Sequence, residues 1–171
     1  NIPDAPEQSY VNSVYLSQHD VNVIYVAFNH HKYGDFKPYI FKSSDKGNSW
    51  VSISNNLPKR GSVYSIEEDH VDSNLIFCGT EFGVFFSPDS GGSWKELASG
   101  LPTIAVRDIA IQRRENDLVL GTFGRGFYVL DDYSPLRSVE NLENDLAVQI
   151  FDVRDALMWE KANPLGLPGK A

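Results

Sequence analysis

Short apolar segments alternate with turn residues along most of the chain. Residues 23–26, 75–78 and 118–120 are examples, and polar or Gly-containing stretches such as DSN and GTFGRG flank them. Short runs rich in Val, Ile, Phe and Tyr between such breakers indicate β-strands. Before residue 138, no stretch shows the apolar spacing of a helix of about ten residues or more. The pattern therefore predicts an all-β chain.

The strand pattern occurs three times in the same order. A Val-x-x-Ile or Val-x-x-Val pair begins each copy, at residues 11–14, 63–66 and 106–109. A period of ~40–45 residues with four short strands per unit is typical of β-propeller blades. A β-sandwich also has many short strands, but it gives no reason for the sequence to repeat. We predict about three four-stranded antiparallel blades in an incomplete ring, with a short C-terminal extension.

An octet of the form Ser-x-Asp-x-Gly-x-Ser-Trp lies between the third and fourth strands of the first two copies. It is SSDKGNSW at residues 43–50 and SPDSGGSW at residues 87–94. The Asp can accept two or three backbone N–H groups, the Gly can adopt an unusual backbone angle, and the Trp can bury its ring between sheets. We predict two structural clips, made by Ser43, Asp45, Gly47 and Trp50 and by Ser87, Asp89, Gly91 and Trp94.

The third copy has a degenerate octet. Asp132 falls at the Asp position, whereas Ser134 replaces the Gly and Arg137 replaces the Trp. An array that ends here needs its outermost strand from elsewhere, because a bare edge leaves backbone groups unpaired.

The strand that could complete the third blade lies in LAVQIFDV. We predict that residues 147–152 pair alongside residues 126–130, with Phe151 or Ile150 packing as Trp50 and Trp94 do. The segment 138–146 is predicted to hold one or two helical turns. The predicted organisation is a linker at 1–9, blades at 10–58, 59–102 and 103–153, and a Pro- and Gly-containing linker at 154–171.

The octets resemble the Asp-box, or BNR repeat, of sialidases, sortilin-type Vps10 domains and tandem-propeller glycoside hydrolases. Residues 10–137 resemble the last blades of a large secreted bacterial BNR-repeat family, whose members are labelled glycosyl hydrolase or sortilin/Vps10-like. TFGRGFYVLDD is similar to that family's THGR-[FS]-[WF]-x-LDD element, with Phe123 in place of His. The resemblance implies a structural role for the boxes, away from any active site, and an extracellular or periplasmic location.

Charge and composition exclude several classes of function. The formal net charge is −8 and the sequence has no basic cluster, so nucleic acid is not an expected partner. No apolar run approaches the ~20 residues of a membrane span. The single cysteine, Cys78, allows neither an internal disulfide nor a cysteine-based metal site. No cofactor motif is present.

The first strand of each copy should line the central channel of a propeller. The two residues inside each Val-x-x-Ile/Val pair are then candidates for ligand binding: Asn12, Ser13, Tyr64, Ser65, Arg107 and Asp108. Arg107, Asp108, Tyr64 and Asn12 are the selected ligand-binding residues, and Asp108 is the candidate catalytic residue. The alternative is a water-lined channel with an Arg107–Asp108 ion pair.

Other polar clusters favour structural roles. His30 and His31 are adjacent, with Asp35 nearby, and adjacent side chains in an extended segment point apart, so a metal site is not predicted there. The acidic stretch EEDHVDSN lacks the spacing of a calcium loop and is predicted to be a solvated turn. Residues 30–37 lengthen one loop of the first copy, which could be a binding surface or a tolerated insertion. Residues 124–126 are predicted to form a hairpin turn with an exposed Arg.

Three blades cannot close a ring of about four to eight. We expect the chain to be part of a longer protein, or to self-associate, so that its end faces are covered by further blades or another copy. The predicted function is a structural and binding segment that presents a surface to a glycan or protein ligand and is not a complete enzyme. The alternative is part of a glycoside hydrolase with most catalytic residues on absent blades, because such enzymes need two carboxylates across a cleft.

Overall fold

The computed structural model describes residues 2–98, 100–141, 150–151 and 155. Three antiparallel sheets account for the strands of this part of the chain. The first sheet contains β1 (Tyr10–Leu16), β2 (Ile24–His30), β3 (Asp35–Ser43) and β4 (Val51–Ser52). The second contains β5 (Val63–Glu68), β6 (Ile76–Thr80), β7 (Gly83–Ser87) and β8 (Lys95–Glu96). The third contains β9 (Val106–Gln112), β10 (Asp117–Thr122) and β11 (Phe127–Leu130).

Each sheet is a meander in which neighbouring strands are consecutive in sequence. The first strands of the sheets contact one another, β1 with β5 and β5 with β9, whereas the later strands spread outwards. The sheets are therefore consecutive blades of an incomplete β-propeller, as the repeat predicts. Two short 3-10 helices, His31–Tyr33 and Ser134–Asn141, are the helical segments of the described residues.

Apolar layers between the sheets hold the blades together. Tyr25, Ile40 and Ile53 of the first blade pack against Ile66 and Cys78 of the second. A similar layer joins the second and third blades. The middle blade is covered on both faces, which explains why β6 and β7 are buried at every position and show no polar alternation.

The backbones of the second and third blades approach each other most closely at Gly79 on β6. A Cβ atom placed there would lie 2.6 Å from the Val106 carbonyl oxygen and 2.5 Å from the Ser65 hydroxyl. Any larger residue would force the blades apart at their inner edge.

The octets form the predicted clips, with a different division of hydrogen bonds. Asp89 accepts one backbone N–H, from Ser93 at 2.7 Å, together with the Ser87 and Ser93 hydroxyls at 2.6 and 2.8 Å. The Ser87 hydroxyl accepts the Gly91 N–H at 2.7 Å. The expectation that the Asp accepts two or three N–H groups is therefore wrong, whereas the Ser hydroxyl does accept an N–H group of the turn. The first octet repeats this pattern around Asp45.

The second octet is also attached to the preceding blade. The Asn55 amide donates to the Gly91 and Gly92 carbonyls, and Asn56 makes two hydrogen bonds with the backbone of Trp94. The indole N–H of Trp94 donates to the Ile53 carbonyl at 2.7 Å, and its ring is buried in the first apolar layer. Each octet therefore joins its own hairpin to the blade before it when that blade is present.

The turn after β5 differs from its prediction. Glu68 and Asp69 are buried, so the first half of EEDHVDSN is not solvated, whereas residues 71–74 form the expected turn. Glu68 accepts hydrogen bonds from the Ser17 hydroxyl and the Gln18 N–H of the first blade. Asp69 points towards the third blade.

Arg137, at the position where the third octet lacks its Trp, forms two 2.8 Å hydrogen bonds with Asp69. Buried Tyr133 donates its O–H to the same carboxylate at 2.5 Å. Burial alone would raise the pKa of Asp69, but the hydrogen bonds from Arg137 and Tyr133 outweigh it and lower the pKa to about 2. The degenerate octet thus replaces an apolar anchor with an ion pair between blades.

Asp132 keeps part of the clip in this octet, because its carboxylate accepts the Ser134 N–H and hydroxyl. The predicted helical turns at 138–146 overlap the end of the 3-10 helix Ser134–Asn141, and the remainder lies outside the described residues. The predicted strand 147–152 also lies largely outside them. Of its two candidate anchors, Ile150 is 86% exposed and does not pack as Trp94 does.

Candidate ligand-binding surface

The N-terminal ends of the first strands β1, β5 and β9 lie side by side at the inner edge of the blades. They bring Asn12, Tyr64 and Arg107 to one end of the array. Strands of a propeller that run in the same direction present the same end at the same face. The repeat in the sequence therefore places its Val-x-x-Ile/Val pairs together in space.

Arg107 stacks on aromatic rings at this end. Its guanidinium carbon lies 3.8 Å from the centre of the Tyr64 ring and 5.4 Å from that of Phe123. Guanidinium groups stack favourably on aromatic faces, which fixes their orientation. Arg107 is exposed, and no residue in the described ranges is hydrogen-bonded to it. Its planar N–H fork is therefore held in place with its hydrogen-bonding edge available.

Asn12 is committed mainly to structure. Its side-chain NH₂ donates to the Val63 carbonyl at 2.6 Å, and its side-chain oxygen accepts a hydrogen bond from Asn29. Asn29 is buried, and its own side-chain oxygen has no partner among the described residues. The two amides bridge the first and second blades directly beside Tyr64.

A groove adjoins this amide pair on the first blade. It has a volume of about 470 Å³ and is lined by Tyr10, Val11, Asn12, Asn29, His31 and Lys32. The Lys32 ammonium donates to the Tyr10 hydroxyl at 3.1 Å, and the rings of His30 and Tyr33 are stacked. His31, Lys32 and Tyr33 belong to the long loop at 30–37. The loop thus builds one wall of a groove, and whether it is a binding surface or a tolerated insertion stays a prediction.

Asp108 lies next to Arg107, but their side chains do not form an ion pair. Its carboxylate is exposed and accepts the N–H of Ile109 at 3.0 Å, while Arg107 turns to Tyr64. The alternative expectation of an Arg107–Asp108 ion pair is wrong. The register of β9 with β10 shifts here, so that Asp108 pairs with Gly121 and Val106 with Thr122, and Arg107 is the extra residue of a β-bulge. Ser65 is buried between strands and does not line the channel, contrary to its prediction.

Glu67 is a functional candidate that the sequence reasoning missed. It lies at the other end of β5, and the Tyr15 hydroxyl donates to it at 3.4 Å. Burial raises its pKa to about 7, and the neighbouring carboxylates of Asp108 and Glu68 act in the same direction, against Tyr15 and Arg113. Such a group can hold or release a proton near neutral pH. The sequence could have indicated Glu67 through its position near the end of an inner strand. The acidic residues around it favoured a turn instead.

The described residues contain neither a grouped set of metal ligands nor a membrane-crossing helix. There, no three His, Cys, Asp or Glu side chains are grouped so that they could bind a metal ion, and Asp35 instead accepts the Tyr39 hydroxyl at 2.6 Å. Within the same residues, no helix has the length and apolar character needed to cross a membrane. The predicted turn at residues 124–126 is present, with Arg125 exposed and Gly124 and Gly126 at positive φ.

No family model and no curated protein matches the chain. Solved structures do. An ancestral GH74 enzyme is 24% identical with a TM-score of 0.55 over 67% of this chain and 14% of its own. The GH74 enzyme of Niastella koreensis is 20% identical with a TM-score of 0.57, over 71% and 21%. The extracellular domain of a one-component system of B. thetaiotaomicron is 20% identical with a TM-score of 0.52, over 72% and 15%.

These identities are low, so the likeness establishes the fold alone, and that fold is the β-propeller. The chain spans between 14% and 21% of the length of these three proteins. It matches a few blades of each of these larger proteins.

Proposed function

We propose that the chain is a segment of an Asp-box, or BNR-repeat, propeller protein and that its inner-strand surface binds a glycan. The observation that carries the proposal is the Arg107 guanidinium, which is stacked on Tyr64, exposed, and without a hydrogen-bond acceptor among the described residues. A pre-oriented guanidinium binds a carboxylate through two parallel N–H···O bonds. We therefore expect a glycan that contains a uronic acid.

The surroundings of Arg107 suit a sugar better than a flat protein surface. Sugar rings present C–H groups, which pack on the negative faces of aromatic rings, and hydroxyls, which bind amides and ammonium groups. Phe123 lies beside Arg107, and the exposed Tyr10 ring and the Lys32 ammonium line the groove of the first blade, so that both kinds of contact are available. The GH74 neighbours, which are glycoside hydrolases, share the fold. A protein ligand would be the outcome if glycans do not bind.

The octets have no part in this binding. They connect the third strand to the fourth, at the outer side of each blade, whereas Arg107 and Tyr64 lie on the innermost strands. In our proposal Asp45 and Asp89 hold turns, as the resemblance to Asp-boxes implies. The same resemblance leads us to place the protein outside the cytoplasm.

Binding to a panel of neutral and uronic-acid-containing oligosaccharides tests the proposal. We expect the whole chain to bind an acidic member, and Arg107→Gln to weaken that binding ten- to a hundredfold, the range for a lost charge-assisted pair. Arg125→Gln is the matched control, because Arg125 is an exposed Arg on the neighbouring hairpin. Equal binding by the two variants, or binding only to proteins, would contradict the glycan assignment.

A second candidate function is a glycoside hydrolase to which this segment contributes. Glu67 favours it, because a carboxyl group with a pKa of about 7 near a second carboxylate, Asp108, can serve as a general acid. We would incubate the longest natural form of the protein with the glycans that bind and measure new reducing ends. Turnover that disappears in Glu67→Gln and in Asp108→Asn would favour the enzyme, and binding without turnover would favour the binding segment.

A further inference from the structure

An apolar groove of about 200 Å³ lies between the second and third blades, beside the edge strand β11. Val84, Leu97 and Leu101 form its wall on the second blade, and Leu120, Tyr128 and Leu130 contribute from the third. It is separate from the ligand-binding surface, because it opens at the outer strands. Its lining residues are mainly apolar. A water molecule in the groove would therefore find few hydrogen-bond partners.

The corresponding space between the first and second blades is filled by Trp94. Ile40, Ile53 and Leu57 surround that ring, and they stand at the same repeat positions as Val84, Leu97 and Leu101. On the other side, Cys78 and Phe85 correspond to Leu120 and Tyr128. The groove is therefore the counterpart of the Trp94 site, with its walls kept.

The residue at the Trp position of the third copy cannot fill this groove. Arg137 is bound to Asp69, between the turn after β5 and the segment after β11. Beside the groove, β11 is an edge strand in the described residues, and its Phe127 and Val129 side chains are 79% and 55% exposed. A site built for an aromatic anchor thus adjoins an edge built to receive one more strand.

We propose that residues 147–152 of this chain add to β11 as the fourth strand of the third blade and place the Phe151 ring in the groove. Neither Ile150 nor Phe151 is assigned to a strand in the structure, but Phe151 is partly buried and Ile150 is 86% exposed, a difference that neighbours on a strand would also show. In this arrangement Phe151 shares the face of Tyr128, and Ile150 and Asp152 share the face of Val129. This assignment chooses between the two anchors that the sequence left open.

Disulfide trapping in the full chain tests the pairing. Two variants, Val129→Cys with Ile150→Cys and Val129→Cys with Asp152→Cys, place cysteines on the same face of neighbouring strands. Val129→Cys with Trp159→Cys is the control for a cysteine elsewhere on the same C-terminal segment, and native Cys78 is buried, so we expect it to stay reduced. In a glutathione redox buffer, we expect the first two variants to form an intramolecular disulfide at least tenfold more completely than the control.

The anchor is tested by stability, since it contributes to the apolar layer. We expect Phe151→Ala to lower the urea midpoint of the full chain, and Trp159→Ala to leave it unchanged. Disulfide-linked dimers would identify a second copy as the occupant, and preferential trapping by Trp159→Cys would identify the following segment. Either result, or the absence of a disulfide together with an unchanged midpoint in Phe151→Ala, would overturn the proposal.

Discussion

Replacing Arg137 by Met tests the ion pair between the second and third blades. Met keeps much of the apolar stem and removes the charge. The Asp69 carboxylate is completely buried, and the Arg137 side chain is 20% exposed. The variant therefore leaves a buried charge that has lost two 2.8 Å hydrogen bonds.

The size of the loss follows from this geometry. Two unit charges about 4 Å apart interact by roughly 4 kcal/mol at an effective dielectric constant of about 20. Removing one partner of a buried pair typically costs about 3–5 kcal/mol. The Tyr133 hydroxyl and the Asp72 N–H remain bound to the carboxylate, at 2.5 and 2.7 Å. We therefore expect a value at the lower end, about 3 kcal/mol of unfolding free energy.

Equilibrium unfolding in urea at pH 7, followed by tryptophan fluorescence, measures the loss. Arg114→Met is the matched control, because Arg114 forms a 2.8 Å ion pair with Glu115 but its side chain is 82% exposed. Exposed pairs contribute about 0–1 kcal/mol. A double-mutant cycle with Asp69→Asn isolates the interaction between Asp69 and Arg137.

Acid provides an independent readout of the same pair. The pKa of Asp69 is lowered to about 2 in the folded protein, from a usual value of 3.8. The stabilisation is therefore present above pH 3.8 and is lost as the pH falls through 2. The loss should be smaller in Arg137→Met. If Arg137→Met behaves like Arg114→Met, or if the coupling energy is below about 0.5 kcal/mol, the reasoning is refuted.

Three further predictions concern the clips and the inner strands. Asp89→Ala should cost about 1–3 kcal/mol in urea unfolding without changing ligand affinity, because turn donors lose their acceptor; lost binding at full stability would contradict the clip. The raised pKa of Glu67 makes its stability contribution fall as pH rises from 4.5 to about 7, so Glu67→Gln should gain in urea midpoint over the wild type across that range. Gly91→Ala should destabilise more than Gly34→Ala, since both have positive φ but only Gly91 would place its Cβ 2.7 Å from Ile53; equal midpoints would exclude the steric term.

The blade repeat and the octets could be predicted from the sequence because they depend on local rules. Turn geometry and strand alternation are determined within a few residues, so Asp89 and Trp94 were assigned correctly to a structural clip. The stacking of Arg107 was only partly predictable: its strand position was clear, but the ring it contacts comes from another blade. Because Asp108 is adjacent in sequence, it was the expected partner of Arg107.

The burial of Asp69 could not be predicted in this way. Its sequence neighbours are charged, and a polar turn is usually solvated. What buries it is Arg137 and Tyr133, more than sixty residues later in the chain. The sequence shows that Arg137 replaces the Trp of the octet. Predicting its ion pair with Asp69 would have required the relative positions of the second and third blades.

The attachment of Trp94 to the preceding blade has a consequence for the order of folding. Ile53 and Leu57 pack with the Trp94 ring, and the Ile53 carbonyl accepts its indole N–H. Asn55 donates to the flanking turn at Gly91. Those residues leave the ribosome before Trp94 does. Each new blade therefore finds its acceptor already synthesised, and assembly can proceed from the N-terminus without waiting for the ring to close. A circular permutation that cuts between these blades would place Trp94 before its acceptor in the chain. The indole would then stay exposed until residues 53–57 were synthesised.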